Sequence, residues 1–91
     1  MVERRKHVQP RWGPERAFGD ALRQLRKARK LSQEDLGDAS NSDRTFVSML
    51  ERGLVSPTLR TMVKLSVALK LAPSELIRQT EKSSFYRTPM H

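Results

Sequence analysis

Cysteine is absent from the 91 residues. That excludes a disulfide framework and thiolate metal sites, and it fits a reducing, cytoplasmic setting. Histidine is nearly absent: His7 and His91 lie near the two ends, no metal-ligand spacing occurs, and no cofactor is expected. Three Phe, one Tyr and one Trp are too few for a surface that stacks single-stranded bases. No apolar run approaches the ~18 residues of a membrane span, and the opening residues are too charged for a secretory signal. Glu34, Asp35 and Asp38 read as helix-terminal and surface charge, so catalysis is not expected. Acid is also short. Eighteen Lys and Arg against ten Asp and Glu leave a net charge of +8. The natural partner is a polyanion, and nucleic acid fits better than membrane because no helix joins an aromatic face to a basic one.

The pattern predicts a compact all-α bundle of five short helices. Residues 1–14 carry Arg4, Arg5, Lys6 and Arg11 with two prolines and no helical period, and read as a flexible basic arm. From Glu15 to Lys30, Phe18, Ala21, Leu22, Leu25 and Ala28 recur at helical spacing. Helices then follow over 33–40 and 44–52. A further one is capped by Thr58 and runs through Met62, Leu65 and Leu69. The last opens at Pro73 with Leu76 and Ile77 on its inner face. The helical domain is expected to span 15–79, with 80–91 as a polar tail.

The middle of the chain is the most informative. Ser32 can cap a helix opening at Gln33, with Asp35 completing a capping box and Leu36 and Ala39 as its apolar face. Asn41 tolerates the left-handed backbone of a sharp turn, and Ser42 or Asp43 can cap the next helix. Val47 and Leu50 face inward, and Gly53 ends the helix. Two short helices across a tight turn form a helix-turn-helix, whose second helix can enter the DNA major groove.

Four fragments in order, LRQLRKARKLSQEDL, DRTFVSMLERG, SPTLRTMVKLSVALKL and PSELI, carry a family resemblance. From Phe18 to Ile77 the chain resembles the helix-turn-helix domain of phage Cro and cI repressors and their XRE-like bacterial relatives. The DRTFVS segment also resembles the controller proteins of restriction–modification systems. The resemblance implies a lambda-repressor-like fold and a cytoplasmic, nucleoid-associated or phage-encoded transcriptional regulator acting on double-stranded DNA. An antitoxin or adaptor module on the same fold is the alternative. Gly37 stands where the family usually has Ala, Ser42 where it has an apolar residue, Lys70 where Gly is common, and Ala72 where Ser or Thr caps. Gly37 is expected to weaken its helix by up to ~1 kcal/mol.

Gln33, Arg44, Thr45, Ser48 and Met49 are the candidates for reading bases. Gln33 lies at a helix N-terminus suited to phosphate, and its amide can instead reach an adenine edge or brace the next helix. The Arg44 fork matches guanine O6 and N7, Met49 suits a thymine methyl, and Phe46 packs in the core or on the sugar–phosphate wall. Ser42, Asp43, Arg52, Thr58, Arg60 and Thr61 are expected at phosphates. Arg23, Lys27, Arg29 and Lys30 make the first helix basic, as a solvated face or as further phosphate contacts. Arg26 and Glu51 match a structural ion pair of the family. Val63 and Val67, four apart, form an apolar stripe that either implies, with Ile77, a homodimer on a pseudo-palindromic operator or is covered by the C-terminal tail of the same chain. No small-molecule effector is expected.

Overall fold

A computed structural model describes residues 13–86. Five helices follow one another: α1 Pro14–Ala28, α2 Gln33–Ala39, α3 Arg44–Glu51, α4 Leu59–Ala68 and α5 Pro73–Lys82. Every helix contributes to one apolar core. Phe18 and Leu22 come from α1, Leu36 from α2, Val47 and Leu50 from α3, Leu65 and Leu69 from α4 and its cap, and Leu76 from α5. α1 packs along α3 and α5, while α2 packs against α3 and α4. Ala28 and Ala39 are exposed rather than on inner faces. Both sit in a last turn, where the chain is already leaving the core.

The helix starts follow from local chemistry. Ser32, Asp43 and Thr58 each accept a hydrogen bond from a backbone N–H of the helix they open. Pro14 and Pro73 fill first-turn positions where an N–H has no helical partner. Four helix ends share one device. Lys30, Asn41, Gly53 and Lys70 adopt φ of 59°, 58°, 73° and 60°. In each case the next residue's N–H reaches back to a carbonyl of the last turn, as Leu71 does to Ser66 at 3.0 Å. Lys70 therefore keeps the left-handed geometry of the glycine it replaces.

Gly37 has a positive role that helix propensity hides. A Cβ there would lie 3.0 Å from the Ser42 carbonyl oxygen and 3.2 Å from the Arg44 nitrogen. The turn folds directly over this position, and Ser42 N–H donates to the Gly37 carbonyl at 2.7 Å. Removing the side chain lets α2 and α3 close on each other.

The C-terminal boundary differs from expectation. α5 runs on to Lys82, with Thr80 buried, and Ser83–Tyr86 turns back onto α1. Gly13 N–H donates to the Phe85 carbonyl at 2.7 Å, and the Ser83 hydroxyl to Asp20 at 2.8 Å. The basic residues of the N-terminal arm lie outside the described residues.

Candidate nucleic-acid interface

α3 divides cleanly by exposure. Val47 and Leu50 are fully buried, and Phe46 packs half-buried against the same core. The opposite face opens with Arg44 and Thr45, both exposed, followed one turn later by half-buried Ser48 and Met49. These four residues form one continuous surface at the start of the helix. Asp43 precedes them, and its carboxylate accepts the Thr45 N–H at 2.7 Å. That bond makes Asp43 the cap of α3. Ser42 is half-buried in the turn that precedes it.

Of the roles open to the Gln33 amide, the structure shows the brace to the next helix. Gln33 Nε2 donates to Glu51 Oε1 at 3.0 Å, so the side chain braces α3. The capping box engages Ser32 N–H with Asp35 and Asp35 N–H with Ser32, both at 2.9 Å. The hydrogen bond from the Ser32 backbone holds the Asp35 carboxyl below its ordinary range. With Glu34 beside it, the first turn of α2 carries two acidic side chains.

Glu51 is where three elements meet. Arg26 from α1 grips its carboxylate with two prongs, Nε to Oε2 at 2.6 Å and Nη2 to Oε1 at 3.0 Å. Arg26 also donates to the Leu31 carbonyl at 2.8 Å, which fixes the link into α2. Side-chain exposure is 10% for Arg26 and 2% for Glu51, so the pair is shielded from solvent. Hydrogen bonding to Glu51 raises the Arg26 pKa against the lowering effect of burial. Gln33 supplies the third bond to the same carboxylate. Gly19 lets α1 come this close, because a Cβ at Gly19 would sit 2.5 Å from the Glu51 carbonyl oxygen.

Arg52 and Arg60 are exposed beyond the end of α3 and in the first turn of α4. The Thr58 hydroxyl accepts from Thr61 N–H at 3.1 Å and donates to the Thr61 hydroxyl at 3.0 Å, so this pair orders the helix start that carries Arg60. Arg23, Lys27 and Lys30 are exposed on and just beyond α1, whereas Arg29 donates to the Leu69 carbonyl and closes the end of α4.

The dimer candidates separate into two places. Val63 and Val67 are 41% and 69% exposed on α4. Leu59, 71% exposed, extends the stripe by one more turn. Its spacing of four from Val63 was available in the sequence. Ile77 is 42% exposed, not on the inner face of α5, and lines an apolar groove with Phe18, Pro57 and Met62. Its neighbour Leu76 takes the core position.

The helix-turn-helix family model, HTH_3, matches residues 22–76. The chain is 38% identical over 66 residues to the control protein C.MunI of a Mycoplasma species, covering 71% of this chain and 89% of that protein. The crystal structure of the restriction-modification controller protein C.AhdI from Aeromonas hydrophila is 44% identical with a TM-score of 0.66, covering 67% of this chain and 92% of that one. The P22 c2 repressor, solved in complex with a synthetic operator, is 30% identical with a TM-score of 0.61, covering 65% and 89%. This chain belongs to the helix-turn-helix family of DNA-binding transcriptional regulators.

Proposed function

We propose that the chain reads a specific double-stranded sequence in the major groove through the first turns of α3, as a homodimer, and that its work is binding rather than catalysis. The observation that carries this reading is the exposed pair Arg44 and Thr45 on a helix locked from behind by Arg26 and Gln33 through Glu51. A rigid helix that presents a planar fork suits guanine O6 and N7, with Ser48 and Met49 beside it for neighbouring base edges. Gln33 keeps its amide oxygen for a base-edge donor. Arg52, Arg60, Thr58, Thr61 and Ser42 flank this face as phosphate contacts that set register. The likeness to C.AhdI and C.MunI supports restriction–modification control as the regulated process, and bacterial and phage relatives support action in a bacterial cytoplasm.

Selecting bound fragments from random DNA tests the reading. The wild type should enrich a two-fold symmetric sequence. Arg44→Ala should then lose about 1–3 kcal/mol on the selected DNA while keeping its binding to random DNA. Arg60→Gln should weaken both and lower the salt slope by about one. Equal losses for Arg44→Ala on both DNAs would make Arg44 a phosphate contact, and no enrichment by the wild type would defeat specific reading.

A further inference from the structure

The C-terminal end of α3 is held by a chain of contacts that begins at the far end of the sequence. Phe85 lies beneath Arg16, with the guanidinium carbon 4.3 Å from the ring centroid. The same guanidinium points Nη1 at the Glu51 carbonyl oxygen, at 3.5 Å. That carbonyl belongs to the last turn of α3, where unpaired C=O groups concentrate negative charge and favour a cation. The Arg16 backbone also borders the turn that follows, since a Cβ on Gly53 would lie 2.9 Å from the Arg16 Cα. Phe85 is itself fixed. Its carbonyl accepts from Gly13 N–H, its N–H donates to the Ser83 hydroxyl at 3.1 Å, and that hydroxyl donates to Asp20.

We propose that Phe85 is a positioning residue for DNA reading: it holds Arg16 against the end of α3, so that Ser83–Tyr86 helps set how α3 is presented to the groove. Glu51 is then fixed from both sides. Its carboxylate is held by Arg26 and Gln33, and its carbonyl by an arginine that donates from its edge while its face rests on an aromatic ring. Phe85 is half-buried, and a guanidinium on a ring that solvent still reaches contributes a modest amount, so the effect is one of alignment rather than of folding. The DNA consequence rests on the reading of α3 proposed above, whereas the contact chain does not.

The test compares Phe85→Leu, which keeps apolar bulk without the π face, with Phe85→Tyr, which keeps the face. DNA enriched by the wild type and random DNA are the two probes. Phe85→Leu should reduce the ratio of the two affinities about two- to fivefold, with binding to random DNA and its salt slope unchanged. Phe85→Tyr should retain the ratio. Arg16→Gln should show the same loss, and the double variant no more than either alone. Amide exchange gives a second reading that needs no DNA. The Arg52 and Gly53 N–H groups, bonded to the Ser48 and Leu50 carbonyls, should exchange about two- to fivefold faster in Phe85→Leu, with α4 unchanged. A folded Phe85→Leu with wild-type ratio and exchange overturns the proposal, as do additive losses in the double variant. Failure of Phe85→Leu to fold makes the segment a stability element and overturns it too. A wild type that enriches no sequence defeats the reading of α3 alone, and the exchange result then decides whether Phe85 positions the helix.

Discussion

At Glu51 a single carboxylate takes hydrogen bonds from two helices other than its own, and its burial makes those bonds consequential. A carboxylate 2% exposed is costly to leave unpaired. Replacing Arg26 by Leu is expected to destabilise the fold by about 3–5 kcal/mol, because Gln33 alone cannot balance the charge. Replacing both Arg26 and Glu51 by Leu should recover much of that loss. Denaturant midpoints for the two single variants and the double variant check this, and a single-variant cost below ~1 kcal/mol would show that the pair holds little. Family resemblance brought Arg26 and Glu51 together in the sequence, but the role of Gln33 was legible only as one alternative among three. An amide at a helix start has several possible partners. Which one it takes depends on how α2 is oriented over α3, and that is set by Gly37 and the turn.

The helices themselves were legible to within one or two residues at most ends, because caps and prolines act locally. The endings show what local reading misses. Asn41 and Gly53 announce a left-handed turn; at Lys70 only the glycine usual in the family points to one, and Lys30 adopts the same backbone with nothing in its chemistry to signal it. The left-handed conformation costs an ordinary L-residue roughly 1–2 kcal/mol, partly offset in a Gly variant by its freer unfolded chain. Lys70→Gly is therefore expected to stabilise the protein by about 0.5–1 kcal/mol, read as a higher denaturant midpoint with an unchanged slope. A loss of stability would mean that the lysine side chain contributes more at this junction than its backbone costs. The return of Ser83–Phe85 onto α1 was invisible for a different reason. The Ser83–Asp20 bond spans 63 residues, and no sequence period encodes a pairing of that separation.

At the scale of the whole molecule, one α4 surface has no counterpart in the core among the described residues. Leu59, Val63 and Val67 fall at intervals of four on one exposed helix face, with Arg60 and Lys64 beside them. This apolar stripe, rimmed by charge on so small a domain, is the surface proposed for the homodimer. A second copy meeting it across a two-fold axis would place the two α3 helices about one DNA turn, ~34 Å, apart. Val67 is the informative position because it is 69% exposed, so a charge there leaves the monomer core untouched. Val67→Glu should convert a dimer into a folded monomer in sedimentation. It should also weaken binding to the enriched DNA by about 10²-fold or more, since each half-site would then be bound independently. Binding to random DNA should change much less, because α3 and its basic flanks are intact. A variant that stays dimeric places the interface elsewhere, with the Ile77 groove the next surface to alter. A wild type that sediments as a monomer at every concentration removes the dimer altogether, and the two-fold symmetry expected of the enriched sequence goes with it.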